Sequence, residues 1–279
     1  MTIRSDGGGP QLASLSREFS PPEVTMDLTM CGLPVGRAEE LARLYQKHGT
    51  WSRVEEVWFE ERRANRSTRE SFRELSRVLT SRFKNAPASL PNPRDVPSVL
   101  DACATPRDKA QVLYPYLVAD DALGRYVVHE YAQRLLADHP DALDFSTETL
   151  TAVLKQFKSA DGTPFDYADS TTERWGEGFR SVMREVGVLE NQRTVVGTPP
   201  SLGDAPLLVA MGHSYEAGED ASVESPVGLQ YLFQPSARWA ALYDRVAETD
   251  AWEFVELHGS LQLRPVDEPY AWITREGAD

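Results

Sequence analysis

Apolar residues recur at helical spacing along most of the first two thirds of the chain. Between Arg37 and His48, Leu41, Leu44 and Tyr45 share one face, Lys47 and His48 occupy the last turn, and Gly49 stands where a left-handed C-cap needs it. Trp51 to Ala64 repeats the pattern through Val54, Val57 and Trp58. Ser67-Thr68-Arg69-Glu70 has the Ser-x-x-Glu spacing of a capping box, opening a helix with Phe72, Leu75, Leu79 and Phe83 on its inner face. Pro87, Pro91, Pro93 and Pro97 then break the period. Thr105-Pro106 supplies an N-cap and a first-turn proline for a helix through Leu117, and two further helices are predicted over 121–137 and 146–158. Trp175, Phe179, Val182, Met183 and Val186 then define a helix over 170–186, closed by Gly187.

The period changes after Gly187. Val188 to Thr198, containing Arg193-Thr194-Val195-Val196, reads as a short extended hairpin, so helix plus hairpin has the outline of a winged helix. From Pro206 onward the pattern predicts short strands at Leu207–Met211, Leu229–Phe233, Phe254–Leu257 and Leu261–Leu263, around one helix near Ala237–Ala247. The expected architecture is therefore mainly α. A flexible Gly/Pro/Ser-rich arm (1–30) precedes a helical bundle (31–160), a helix with a wing-like hairpin (161–200) and a separate α+β region (201–279).

Charge sharpens this division. The chain of 279 residues has a formal net charge of -14, yet residues 37–84 sum to about +4 while 200–279 sum to about -10. Only five of the 29 basic residues are lysine. An acidic, lysine-poor surface suits a protein kept hydrated in concentrated salt, although arginine-rich codon usage in a GC-rich genome gives the same composition. Cys31 and Cys103 have neither a Cys-x-x-Cys spacing nor a His partner, which argues against disulfide and thiolate-metal frameworks. No apolar run reaches the ~20 residues of a membrane span and the first residues lack a signal-peptide core, so a cytoplasmic location is expected.

Searched for chemistry, the chain offers no phosphate loop, and Gly7-Gly8-Gly9 precedes Pro10 without a flanking strand or helix, so no nucleotide cofactor is expected. His129-Glu130 would need a second histidine at position 133, which is Gln133, so no metal is expected either. Asp138, Asp141 and Asp144 lack the acidic-x-Lys continuation of a nuclease, and His48, His139, His213 and His258 stand at no catalytic spacing. The chain thus reads as non-enzymatic.

One pattern remains. Arg62, Arg66, Arg69, Arg73 and Arg77 are spaced four, three, four and four apart, along one flank of a continuous helix, with Lys84 seven residues further on. Such a ridge can follow a phosphate backbone, with Ser67 adding a neutral donor at the helix start. The same residues also form ordinary intrahelical pairs, Arg66 with Glu70 and Glu74 with Arg77. A second surface is expected from Thr172, Arg174, Arg180 and Arg184 with Arg193 on the wing, diluted by Glu173, Glu177 and Glu185.

The string GLPVGRAEELARLYQKHGTWSRVEEVWFEERRANRSTRESFRELSRVLTSRF, followed at a distance by STTERWGEGFRSVMREVGVL, resembles the BrxA family of BREX phage-defence systems. The likeness lies in a small-residue start, a Leu-Tyr helix, a Trp-led second helix, an Arg-Ser-x-x-Arg helix opening and a late amphipathic helix ending in Gly-Val-Leu, over roughly residues 30–200. It implies a NusB-like helical bundle without catalytic activity. It also implies association with double-stranded DNA of little sequence preference and with other BREX proteins, which carry the chemistry. The acidic region after residue 200 departs from that pattern. A protein-interaction scaffold within the same system is the alternative, with the ridge meeting an acidic partner.

Overall fold

A computed structural model describes residues 24–61, 68–159, 162, 164–218, 226–257 and 260–275. Among these the chain is mainly helical, with two small antiparallel sheets. The helices are α1 (Val35–His48), α2 (Trp51–Glu60), α3 (Arg69–Lys84), α4 (Val96–Asp101) and α5 (Pro106–Asp120), then α6 (Ala122–Tyr126) and α7 (Gln133–Asp138), joined by a π-helical stretch, Val127–Ala132. After them come α8 (Thr147–Leu154), α9 (Asp169–Glu185), α10 (Asp204–Ala217), α11 (Val227–Tyr231), α12 (Ser236–Ala247) and α13 (Trp272–Arg275).

The helix ends follow from local chemistry. Gly49 and Gly187 adopt the left-handed backbone, at φ 74° and 86°, that ends α1 and reverses the chain after α9. Thr105 and Asp108 form a reciprocal capping box at the start of α5. At α3 the cap is Thr68, whose hydroxyl accepts from the Ser71 amide at 3.1 Å, one residue later than the Ser-x-x-Glu spacing predicts.

Two apolar cores share α1. Its Leu41 and Leu44 pack with Val54, Val57 and Trp58 of α2 and with Phe72, Leu75, Val78 and Leu79 of α3. Ala38 and Ala42 face a larger cluster that runs from Leu28 to Trp272. At its centre lies α5, buried continuously from Ala110 to Ala119, as a helix apolar on all sides must be. The residues after 200 join this cluster through Leu207–Met211, Leu229–Phe233, Tyr243, Val246, Trp252 and Leu263.

Two predicted strands are helices. Leu207–Met211 lies inside α10 and Leu229–Phe233 overlaps α11, because a run buried on all sides carries no period by which to tell strand from helix. The other two strands form, as β3 (Trp252–Leu257) and β4 (Ser260–Pro265), paired from Trp252↔Pro265 to Leu257↔Ser260. The segment after Gly187 does turn, at Asn191, and returns so that Thr198 donates to the Val188 carbonyl at 3.1 Å. Its ladder partner is elsewhere: β2 (Val196–Gly197) pairs with β1 (Leu143–Asp144), before α8. Among the described residues no helix is long and apolar enough to cross a membrane.

Candidate nucleic-acid interface

The flank of α3 is where sequence places most of the expected contacts. Its inner face supplies Phe72, Leu75, Val78 and Leu79 to the core, so Arg69, Arg73, Arg77 and Lys84, at i, i+4, i+8 and i+15, fall on the outer side. Arg62, Arg66 and Ser67 lie outside the described residues. Arg69 is exposed and its guanidinium carbon stands 5.3 Å from the centre of the Phe59 ring. Arg73 is exposed as well. Arg77 donates two hydrogen bonds to Asp27, at 2.8 and 3.3 Å, and this pairing raises its pKa further. Lys84 lies 3.5 Å from Glu55 and 5.9 Å from the centre of the Trp51 ring.

One carboxylate therefore interrupts the arginine line. Asp27 opens a short 3-10 turn, Asp27–Thr29, whose Leu28 backbone packs against Gly178 of α9, so this turn ties α3 to α9. Arg82, outside the expected ridge, turns inward, and its guanidinium donates to the carbonyls of Gly32 at 2.7 Å and Cys31 at 2.9 Å. It fixes the segment that presents Asp27.

The second expected surface is only partly external. Arg174 and Arg193 are exposed and Arg184 is half-buried. Arg180 donates to the Phe145 carbonyl at 3.3 Å, and burial lowers its pKa. Thr172 is buried with its hydroxyl on the Ala168 carbonyl, so it offers no surface donor, a correction to the sequence reading. Inward placement follows from α9 lying against α8 and the 3-10 turn on two sides.

Two of the histidines, His129 and His213, serve the core. His129 lies on the π-helical stretch with its ring centre 5.1 Å from Tyr231 of α11, and Glu130 pairs with Arg134. His213 of α10 stacks on Tyr231 at 5.4 Å and 14°. Its Nδ1 is 2.9 Å from the Ser89 hydroxyl, and the Tyr270 hydroxyl donates to the Ser89 carbonyl at 2.6 Å. Burial lowers both histidine pKa values to about 4, His129 being further depressed by Arg125 and His213 by His129. Although Ser89 and His213 resemble a nucleophile and its base, both are sealed from solvent, and among the described residues His213 faces no carboxylate that would orient it. The pair acts as a tie between α10 and the loop before α4. Among the described residues no group of three His, Cys, Asp or Glu side chains could hold a metal.

A surface groove of about 950 Å3 at the start of α1 mixes Arg37, Arg43 and Lys47 with Glu39, Glu40 and Glu185. Within it Glu39 is engaged by Arg43 and Lys109, which lower its pKa against the opposing effect of burial.

Asp27, Phe59, Trp51 and Glu55 complete the arginine flank, and sequence reasoning missed them. Asp27 is fifty residues from Arg77, and no periodic signal links the two. No family model, curated protein or solved structure matches this chain.

Proposed function

We propose that this chain is a non-catalytic, DNA-binding accessory subunit of a phage-defence system of the BREX type, the class its sequence resembles. The observation that carries the reading is the set of exposed arginines, Arg69, Arg73 and Arg77, on the outer flank of a helix whose opposite face is locked into the core. Anchored in this way, the flank holds their Cα positions at steps of about 6 Å, from four residues at 1.5 Å rise. A rigid basic line is suited to successive phosphates. The Asp27 pair does not remove Arg77 from this role. An ion pair with its arginine 57% exposed contributes roughly 0–1 kcal/mol and exchanges readily for a phosphate.

The test is charge reversal, Arg69→Glu with Arg73→Glu, measured by titration against DNA at several salt concentrations. Binding should weaken similarly for all sequences, and the salt slope should fall by roughly one unit per lost contact. The fold should persist, because neither side chain enters the core. A slope and affinity equal to the parent's would refute the reading.

A second reading, a protein-interaction adaptor within the same system, is favoured by one observation. Asp27 breaks the continuity of the basic face, and a mixed-charge flank suits a protein surface better than a polyanion. In that case the double reversal leaves DNA titrations unchanged and abolishes association with another component of the system.

A further inference from the structure

Resting on the reading of the α3 flank as a DNA contact, we propose that this site takes unpaired nucleotides, with Phe59 as the platform on which one base stacks. Phe59 ends the apolar face of α2, and the residue is 40% exposed although its neighbours Trp58 and Phe72 are buried. Phe72 holds it edge-on at 4.9 Å and 61°, so the ring is braced by the core while part of it faces solvent. The Arg69 guanidinium stands over the same ring at 5.3 Å. An aromatic ring braced by the core, with a cation over it that gives way to a base and moves onto the backbone, suits the binding of single strands. The ring covers the π-face of a base whatever its identity, and the cation takes the adjoining phosphate.

The remaining cations extend from that point in one direction. Arg73 and Arg77 continue the line from Arg69 at intervals of about 6 Å, close to the spacing of successive phosphates on one strand. A duplex keeps its base faces stacked inside and offers none to Phe59. The platform therefore distinguishes unpaired from paired DNA, whereas the arginines alone do not. It also lies in the one segment with positive net charge, so the charge of the surroundings matches a polyanion.

The experiment compares the full-length protein with Phe59→Ala, Phe59→Leu and Phe59→Trp. Each is titrated by fluorescence anisotropy with a short single strand and with the duplex of the same sequence, at one low salt concentration. The parent should prefer the single strand, and Phe59→Ala should lose about fivefold to a hundredfold on it, the range of one base–aromatic stack, with little change on duplex. Phe59→Leu keeps apolar bulk without a π-face and should fall with Phe59→Ala, while Phe59→Trp should retain the preference. A fluorescent base analogue in the strand should report stacking in the parent and not in Phe59→Leu. Equal losses on both DNA forms, or a Phe59→Leu protein as good as the parent, would overturn the platform and leave the arginine reading intact. Absence of binding to either DNA form would overturn both.

Discussion

Acidification from neutral pH to about pH 4 is expected to unload the core through two histidines packed against Tyr231, the half-buried His129 and the buried His213. Each has its pKa lowered from 6.5 to about 4 by burial, so the folded chain refuses a proton that the unfolded chain accepts. Their contribution to stability is complete above pH 6.5 and disappears as the pH falls through 4. At about 1.4 kcal/mol per unit, it amounts to roughly 3 kcal/mol for each. Asp121 works in the opposite direction. Burial raises its pKa to about 6, so its folded form holds a proton, and between pH 6 and 3.8 it returns about 3 kcal/mol. The balance is a net loss of about 3 kcal/mol, a large share of the roughly 5–15 kcal/mol that holds a domain folded. The perturbation that isolates it is His129→Phe with His213→Phe, which keeps rings against Tyr231 and removes both proton acceptors. Urea unfolding followed by tryptophan fluorescence gives stability at each pH, and the informative quantity is its change with pH, because losing the Ser89 contact lowers the whole curve. Shared terms, including relief of the acidic chain's self-repulsion, cancel between the proteins. The parent should lose about 6 kcal/mol more than the double variant between neutral pH and about pH 4. Parallel curves would refute the argument.

Two further outcomes follow from single contacts. A methyl group on Gly228 would stand 2.0 Å from the Ala210 carbonyl oxygen, a backbone atom of the neighbouring α10 that cannot swing aside. Gly228→Ala should therefore separate α10 from α11 at a cost of about 1–3 kcal/mol, seen by calorimetry as a fall in Tm of several degrees. A Tm equal to the parent's would show that the two helices slide without cost. Replacing the carboxylate at the break in the ridge, Asp27→Asn, leaves a neutral hydrogen-bond acceptor and frees the charge of Arg77, so DNA affinity at low salt should rise a few-fold, on the order of the 0–1 kcal/mol of a surface pair. A fall in affinity, with the fold retained, would mean that the pair positions Arg77 and does not restrain it.

How far the fold and its site can be read without a structure differs from one element to another. Where an element has two environments, core on one side and water on the other, periodicity records it: α1, α3 and α9 are written in their apolar spacing, the ends of α1 and α9 in Gly49 and Gly187, and the start of α5 in Thr105-Pro106. The exposure of Arg69 and Arg73 follows from the same asymmetry. Wherever an element has one environment only, the pattern is mute. Residues 204–213 are buried almost throughout, so Leu207–Met211 resembles a strand and becomes a helix only because α5, α11 and α12 surround it.

Contacts between distant segments are the other part that sequence leaves open. The pairing of β1 with β2, His129 on Tyr231, and Asp27 on Arg77 each join residues some fifty to a hundred positions apart. Local spacing fixes which face of a helix a residue occupies. Which chain comes to lie against that face is decided by the packing of whole helices, since burial of the combined apolar surface selects one arrangement and polar partners such as Asp27 are set in place by it.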